Sequence, residues 1–367
     1  MNNKVINVKI HGKNVGRLAM TKNHCCAFEY DSDWLADGFS ISPFSLPLVK
    51  KVFVADREPF DGIFGVFNDS LPDGWGRLLI DRMLKKQGIS PRSVNFLDRL
   101  AIVGKNGAGA LEYEPSESFE TDDLPVSFDE LARECEKILA NDDYESGNLE
   151  TLVKKGGSSG GARPKVLVKI NGEDWIIKFR SSYDPKNIGE QEYLYSLTAK
   201  KAKIEMSETR LFEEKYFGTK RFDRENGEKF HLLSASGLME TSHRYPILDY
   251  NDLLSATLLL TKDFGEVEKM FRLMCFNIFA KNLDDHAKNF SFLYKNDKWL
   301  VSPAYDLTFS EGMNGEHATM VNGVGKNPTE KDILAVAKKN GISENKAKEI
   351  CQELREVTEK SLLHITI

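Results

Sequence analysis

Alternating apolar and polar positions predict a chain that contains several β-hairpins. Apolar side chains at Ile6, Val8 and Ile10 repeat with the two-residue period of a strand, and the turn-forming residues 11–14 separate them from a second apolar stretch. Two further hairpins are predicted at 166–179 and 290–301, and a strand over 217–222 precedes a turn at Asn226-Gly227.

A helical period predicts a helix over residues 68–85, entered through Pro72 and Asp73. Its apolar face includes Trp75 and Met83, and packing in a core or between domains is the usual reason for such a face. Binding of a ligand by Trp75 and Arg77 is the alternative.

Helical periodicity also appears later in the chain, and one of these segments, 267–281, is apolar on almost every face. Such a helix is expected to be buried, and it leads directly to Asp284. The helices predicted by the same pattern are 128–140, 189–204, 250–265, 267–281 and 328–363.

The composition fits a soluble globular protein of more than one domain. The chain has 367 residues, 41% of them hydrophobic and 29% charged, with a net charge of −6. An acidic chain without a long basic run is not expected to bind nucleic acid over its whole surface. Five cysteines without a C-x-x-C pair, and no apolar signal core or membrane span, indicate a reduced, cytoplasmic protein.

The residues best suited to chemistry lie between 284 and 306. Asp284 precedes Asn289 by five positions, and Asp306 follows the hairpin. Phosphoryl transfer needs one carboxylate at the attacking hydroxyl, and an amide and a second carboxylate at Mg²⁺. Asp285 competes for the first role, but only Asp284 has the required spacing, so Asp285 is interpreted as an exposed loop carboxylate. His286 is either a partner of a carboxylate or phosphate, or structural.

A glycine-rich stretch, GGSSGG at 156–161, precedes the hairpin that carries Lys178. Glycines allow backbone N–H groups to approach phosphate oxygens, although a flexible linker has a similar composition. Lys178 could reach the phosphates if Glu190 or Glu192 of the next helix held it, and the alternative is a surface lysine on a strand. These features occur in the order found in kinases: the glycine-rich loop, the lysine, the glutamate, the D-x-x-x-x-N motif and the final aspartate.

Four segments make the chain similar to a known family. The chain resembles the HipA-type serine/threonine kinases in four signature segments: SLPDGWGRLLIDR (70–82), KRFDR (220–224), DDHAKNFSF (284–292) and PAYDLT (303–308). These kinases are toxins of bacterial type II toxin–antitoxin modules. Phosphoinositide kinases have a similar D-x-H-x-x-N arrangement but lack the segment 70–82.

The resemblance implies an α+β fold. It consists of a small mixed N-terminal domain and a bilobal kinase-like domain whose C-terminal lobe is mostly helical. The implied divisions are an N-terminal domain at 1–125, a small lobe with the glycine-rich loop and hinge at 126–224, and a helical large lobe at 225–367.

The resemblance also implies the roles of individual residues. Asp284 corresponds to the catalytic base, Asn289 and Asp306 to the Mg²⁺ ligands, and Lys178 to the ATP-phosphate lysine with Glu192 as its partner. The implied nucleotide-binding set is Gly157, Ser158, Ser159, Gly160, Gly161, Lys178, Glu192, Lys220, Phe222 and His286, with the backbone around Lys220 and Phe222 receiving the adenine.

The family autophosphorylates a serine of the glycine-rich loop, which ejects the loop and inactivates the enzyme. Ser158 best matches that position, but Ser159 stands beside it, and Arg163-Pro164 replaces the more usual Gln-Glu. Both serines therefore remain candidates.

The implied partners are a protein substrate such as an aminoacyl-tRNA synthetase and a small helix-turn-helix antitoxin of the HipB type. Contact with DNA is expected only through that antitoxin, and no contact with a membrane is expected. Two other functions stay open. One is a catalytically weak kinase fold that serves as a binding or repressor partner, and the other is a small-molecule or lipid kinase.

Overall fold

The computed structural model describes residues 3–117, 127–141, 144, 146–245 and 247–362. The chain forms two compact units. The first unit comprises Met1–Gly189 and Leu211–His231, and the second comprises Glu190–Arg210 and Leu232–Ile367. The boundary predicted between residues 125 and 126 lies outside the described residues, and the three-domain division stays a prediction.

The first unit begins with a five-stranded antiparallel sheet in the order β4-β3-β2-β1-β5. The predicted opening hairpin is present as β1 and β2, with a register shift between Val8 and Lys9. The elements of this part, in chain order, are β1 (Val5–Ile10), β2 (Lys13–Met20), β3 (Cys26–Tyr30), α1 (Ser32–Asp37), β4 (Val52–Val54), α2 (Gly65–Asn68), α3 (Gly74–Lys86), α4 (Phe96–Val103) and β5 (Glu112–Glu114).

The helix predicted over 68–85 is wrong at its start. The short helix α2 ends at Asn68, and α3 begins at Gly74 with Asp73 as its N-cap. Pro72 therefore precedes the helix rather than entering it. The predicted apolar face is confirmed as core, because Trp75 and Met83 are buried in one cluster with residues of the later sheet.

A second, four-stranded sheet in the order β6-β7-β9-β8 completes the first unit. The helix predicted at 128–140 is present with the same bounds, whereas the helix at Leu149–Gly156 was not predicted. The elements of this part of the chain are α5 (Phe128–Ala140), α6 (Leu149–Gly156), β6 (Lys165–Ile170), β7 (Glu173–Lys178), α7 (Ile188–Lys201), β8 (Thr209–Phe212), β9 (Tyr216–Lys220), β10 (Arg224–Glu225) and β11 (Glu228–Lys229). Of these, α7 belongs to the second unit from Glu190 onward.

A buried ionic cluster fixes the chain after β9. Asp223 is only 4% exposed, and its carboxylate accepts hydrogen bonds from Arg221 at 2.7 Å, Arg224 at 2.9 Å and the Gly109 amide at 2.7 Å. Burial alone would raise the pKa of Asp223, but the charges of Arg221 and Arg224 and the hydrogen bonds from Arg221 and the Gly109 amide together lower it. The cluster thereby ties the KRFDR segment to the loop around Gly109.

The second unit is mostly helical. Its central helix α10 packs against α9 and α12, and its buried apolar residues confirm the prediction for 267–281 apart from the exact bounds. The remaining elements are β12 (His231–Ser234), α8 (Ala235–Leu238), β13 (Leu248–Asp249), α9 (Tyr250–Thr261), α10 (Phe264–Phe279), β14 (Ser291–Lys295), β15 (Lys298–Val301), β16 (Thr319–Met320), α11 (Glu330–Lys339) and α12 (Glu344–Leu362).

Two short sheets accompany these helices. The strands β12, β14 and β15 form one sheet in that order, and β13 pairs in parallel with β16. The predicted hairpin at 290–301 is confirmed as β14 and β15. Among the described residues, none of the helices is long and apolar enough to cross a bilayer.

Replacing Asp223 with Asn is expected to destabilise the protein by about 3–5 kcal/mol, because two arginines would lose their buried counter-charge. Urea unfolding followed by circular dichroism measures the loss. Asp56→Asn, at an exposed position of the same unit, is the control.

The lowered pKa of Asp223 also predicts that the free energy of unfolding depends on pH. Because the folded-state pKa of Asp223 is lowered, its contribution is present above the unfolded pKa of about 3.9 and is lost as the pH falls toward the folded value. The wild type should therefore lose stability below about pH 4 more steeply than Asp223→Asn. Equal slopes for the two proteins would contradict this assignment.

Candidate active site

The glycine-rich loop of the first unit runs from the end of α6 to β6. The predicted loop began at Gly156, but this residue is the last of the helix, and Gly157 is its C-cap. A Cβ on Gly156 would lie 2.6 Å from the carbonyl oxygen of Lys165, so the helix end packs against the following strand. The Lys165 ammonium group donates to the carbonyl of Gly160 at 2.6 Å.

Three backbone amides of the loop donate hydrogen bonds within the protein. The Gly157 amide donates to Val153 at 2.8 Å, the Ser159 amide to Gly156 at 3.0 Å, and the Gly161 amide to the carboxylate of Asp73. In the described part of the chain, the amides of Ser158 and Gly160 have no such acceptor. Binding of phosphate by this loop stays a prediction.

The two loop serines have different surroundings. Ser159 is 7% exposed, and its hydroxyl donates to the Gly156 carbonyl at 2.5 Å. Ser158 is partly exposed, and its hydroxyl donates to the carbonyl of Asn106 at 2.8 Å. Ser158 is thus the more accessible of the two hydroxyls.

Lys178 lies where the sequence predicted, on the second strand of the hairpin that follows the loop. It is the last residue of β7 and pairs with Lys165 across the sheet. Its ammonium group lies 5.6 Å from the centroid of the Phe217 ring. The next residue, Phe179, donates its amide to the carbonyl of Pro164 at 2.8 Å, so the lysine is fixed beside the end of the loop.

The two candidate glutamates differ in burial. Both lie on α7, but Glu192 is 3% exposed whereas Glu190 is exposed. Burial of a carboxylate requires compensating partners, which favours Glu192 as the residue with a fixed role. The pairing of Glu192 with Lys178 stays a prediction.

The predicted adenine-binding segment lies at the end of β9. Lys220 is the last residue of this strand and pairs with Trp175, and its ammonium group contacts the carboxylate of Glu173. The Arg221 amide donates to the carbonyl of Asp174 at 2.8 Å, which occupies one backbone donor of the segment. Binding of adenine around Lys220 and Phe222 stays a prediction.

In the second unit, a loop after α10 exposes Asp284, whose side chain is 62% accessible. The side-chain amide of Asn289 donates to the backbone carbonyl of Asp284 at 2.7 Å and so closes the loop. His286 lies at its base, with Nε2 4.0 Å from the Asp284 carboxylate. This distance is too long for a hydrogen bond but short enough for an electrostatic contact.

The interpretation of Asp285 as an exposed loop carboxylate is wrong. Its side chain is fully buried. Its carboxylate accepts hydrogen bonds from Tyr250 at 2.6 Å, from His317 Nδ1 at 2.9 Å and from the Thr319 amide at 3.2 Å. The Thr319 hydroxyl also donates to the Asp285 carbonyl at 2.5 Å. These partners compensate the cost of burying a carboxylate.

Further polar groups extend this buried network beneath the loop. Burial and the neighbouring Asp285 carboxylate raise the pKa of Tyr250 well above its usual range, so the phenol remains a donor. Its oxygen accepts a hydrogen bond from Asn277 at 3.1 Å, and Asn282 donates to Asn277 at 3.0 Å. The network therefore joins α9 and α10 to the loop that carries Asp284.

Tyr305 ties the segment of Asp306 to that of Asn289. Its hydroxyl donates to the carbonyl of Lys288 at 2.6 Å and lies 2.6 Å from the Ser291 hydroxyl. The hydrogen bond between Tyr305 and Lys288 therefore joins the residues that immediately precede the two candidate metal ligands, Asp306 and Asn289. Asp306 itself has a left-handed backbone conformation, with φ of 55°.

The donor chemistry of this pair suits a hard cation. The hydrogen bond from Asn289 to the Asp284 carbonyl occupies the amide nitrogen, which leaves the amide oxygen for a ligand. Mg²⁺ prefers carboxylate and carbonyl oxygens and retains several waters, so one amide and one carboxylate suffice beside the phosphates. No cluster of three His, Cys, Asp or Glu side chains suited to a metal occurs among the described residues.

Family models match both parts of the chain. The HipA N-terminal domain matches residues 6–114, and the HipA-like C-terminal domain matches residues 157–362, which is more than half of the chain. The chain belongs to the HipA family. The HipA resemblance inferred from four short segments is therefore confirmed over most of the sequence.

Solved structures support the same fold. The chain is similar to HipA of Shewanella oneidensis MR-1, determined in a toxin–antitoxin complex of HipA, HipB and operator DNA. The TM-score is 0.73 at 18% identity, over 98% of this chain and 90% of that chain. The predicted α+β fold class, with a small mixed N-terminal part and a kinase-like part, is confirmed.

A proinflammatory kinase of Helicobacter pylori, CtkA, also matches, with a TM-score of 0.36 and 16% identity over 54% of this chain and 89% of that chain. This score is too low to support a conclusion about the fold. No curated protein matches the sequence.

The buried network under the HipA-family loop predicts that Tyr250→Phe destabilises the protein by about 1–3 kcal/mol, because Asp285 loses a buried donor and Asn277 loses its acceptor. Urea unfolding of the full chain measures the effect. Tyr183→Phe is the matched control, since Tyr183 is 99% exposed. Equal stability of the two variants would contradict the role given to Tyr250.

Proposed function

We propose that this HipA-family protein is an ATP- and Mg²⁺-dependent serine/threonine protein kinase that acts as the toxin of a toxin–antitoxin module. The observation that carries the proposal is the exposed Asp284 on a loop closed by Asn289, in a chain that matches the family over both domains. A carboxylate held in this way can orient an acceptor hydroxyl, while the amide oxygen remains available to a metal.

Asp284 would accept a hydrogen bond from the substrate hydroxyl and take its proton as transfer proceeds. Its exposure allows a protein substrate to reach it. Asn289 and Asp306 would bind Mg²⁺ through their side-chain oxygens, and bound Mg²⁺ neutralises phosphate charge. His286, 4.0 Å from Asp284, would contribute to the electrostatic environment of the carboxylate or of a phosphate.

Residues of the glycine-rich loop and of the segments that follow it would bind the nucleotide. Within the loop Gly157–Gly161, the amides of Ser158 and Gly160 are the donors that remain available to phosphate oxygens. Lys178, at the end of β7, would neutralise the phosphates that are not transferred, with Glu192 as its partner. The backbone around Lys220 and Phe222 would receive the adenine.

We further propose that the enzyme phosphorylates its own loop at Ser158. The exposure of Ser158 and the burial of Ser159 favour the first residue. A phosphate at this position would place about −2 charge in a loop that binds phosphates, so the modified enzyme would be inactive.

The proposed partners follow from the likeness to HipA of Shewanella oneidensis, whose structure contains HipB and operator DNA. A HipB-like helix-turn-helix antitoxin would bind this chain, and DNA would be contacted through the antitoxin. The net charge of −6 agrees with this division, because DNA binding depends on neutralising phosphates with basic residues. An aminoacyl-tRNA synthetase is the proposed class of substrate, and the cytoplasm is the proposed location.

Asp284→Ala and Asp306→Ala are expected to lower phosphate transfer by about 10²- to 10⁴-fold, because the general base or a metal ligand is lost. The assay uses γ-labelled ATP, Mg²⁺ and cell extract, with labelled bands identified by mass spectrometry. Asp252→Ala, on the exposed start of α9, is the control. Normal transfer by Asp284→Ala would overturn the site assignment.

The same assay separates the proposed kinase from the alternatives. Nucleotide binding without transfer to any acceptor would indicate a binding module, and phosphate on a metabolite would indicate a small-molecule kinase. Chelation of Mg²⁺ with EDTA is expected to abolish transfer, and excess Mg²⁺ is expected to restore it.

Phosphosite mapping tests the modification of the loop. We expect Ser158→Ala to abolish loop phosphorylation and Ser159→Ala to preserve it, because only Ser158 is accessible in the folded loop. Mass spectrometry after incubation with ATP and Mg²⁺ identifies the site. Phosphate at Ser159 in the wild type would show that the loop opens before it is modified.

A further inference from the structure

The segment Asp73–Gly76, which opens α3, contacts the glycine-rich loop through reciprocal backbone interactions. The Trp75 amide donates to the carbonyl of Gly161 at 3.0 Å. The Gly161 amide in turn donates to the carboxylate of Asp73. Both polar groups of one loop residue are therefore bound by the start of the same helix.

Gly74 and Gly76 are required because the backbone of the glycine-rich loop lies too close to them for a side chain. A Cβ on Gly76 would lie 2.2 Å from the carbonyl oxygen of Ser159, and a Cβ on Gly74 would lie 2.5 Å from that of Gly161. Both obstacles are backbone atoms, so no change of a side-chain rotamer could relieve the clash. Any larger residue at position 76 must displace either the helix or the loop.

The tryptophan of the segment anchors the far end of the loop. Trp75 is fully buried, and its indole N–H donates to the carbonyl of Lys165 at 3.1 Å. Lys165 begins β6, and its ammonium group donates back to the carbonyl of Gly160 at 2.6 Å. The loop is thus held at its middle by Asp73 and at its end by Trp75.

We propose that Asp73–Gly76 is a seat that holds the glycine-rich loop in its nucleotide-binding shape, with Asp73 and Gly76 as positioning residues. Glycine-rich chain loses much conformational entropy on ordering, so a preformed loop binds phosphate more tightly than a mobile one. The Gly161 amide donates to Asp73 of the seat, so the amides of Ser158 and Gly160 are the donors left for the ligand. The effect on nucleotide binding rests on the proposed kinase function.

The test compares Asp73→Ala and Gly76→Ala with two matched controls in the full-length protein. Asp56→Ala removes a carboxylate from an exposed position of the same unit. Gly147→Ala adds a methyl group where nothing lies within 4 Å of the new Cβ. The first measurement is hydrogen–deuterium exchange over residues 157–164 without nucleotide, and the second is the Kd for MgATP by calorimetry.

We expect exchange in this segment to rise about tenfold in both seat variants, because hydrogen bonds of the loop are lost. We expect the Kd for MgATP to rise about five- to tenfold, with kcat at saturating ATP nearly unchanged. Asp73→Asn keeps an acceptor oxygen for the Gly161 amide and is expected to restore most of both properties. If Gly76→Ala does not fold, the comparison of Asp73→Ala with Asp73→Asn still tests the proposal.

The outcomes distinguish the seat from the kinase function. Faster exchange in a protein whose wild type binds no MgATP would support the seat and overturn the proposed kinase. Exchange and Kd values equal to those of the controls, in an active kinase, would overturn the seat alone. Failure of Asp73→Asn to recover protection would also overturn it, since the carboxylate oxygen would not be the acceptor that holds the loop.

Discussion

The candidate active site depends on a difference between two adjacent carboxylates. Asp284 is exposed, whereas Asp285 is fully buried and accepts hydrogen bonds from three groups. A buried carboxylate without partners would cost several kcal/mol, so these partners determine where the loop can lie. Asp285 is thus held in the interior by its partners, while the adjacent side chain of Asp284 is exposed.

The partners of Asp285 come from distant parts of the chain, and this explains why its role could not be predicted. Tyr250 precedes it by 35 residues, and His317 and Thr319 follow it by more than 30. No local period or spacing relates these residues. The D-x-x-x-x-N spacing favoured Asp284 over Asp285 as the candidate base, and this choice stays a prediction. The spacing said nothing about what holds the loop.

Local signals predicted the elements whose own residues determine them. The helix Phe128–Ala140 and the hairpin at 290–301 follow directly from periodicity and turn residues. The error at 68–85 has a local cause, because the polar and apolar residues before Gly74 continue the helical pattern, whereas Asp73 occupies the N-cap position of the actual helix. The helix Leu149–Gly156 was not predicted, and its last residue was assigned to the glycine-rich loop.

The seat shows why a glycine-rich loop depends on residues elsewhere in the chain. A loop that presents its backbone to phosphates has few side chains with which to hold its own shape, so the restraint must come from outside it. Here the restraint comes from Asp73–Gly76, within the HipA N-terminal match, and acts on residues at 159–165 of the C-terminal match. The two family domains therefore share a backbone contact inside the first compact unit. Because this contact uses backbone groups and glycines, it constrains the sequence DGWG more strongly than core packing of Trp75 alone would.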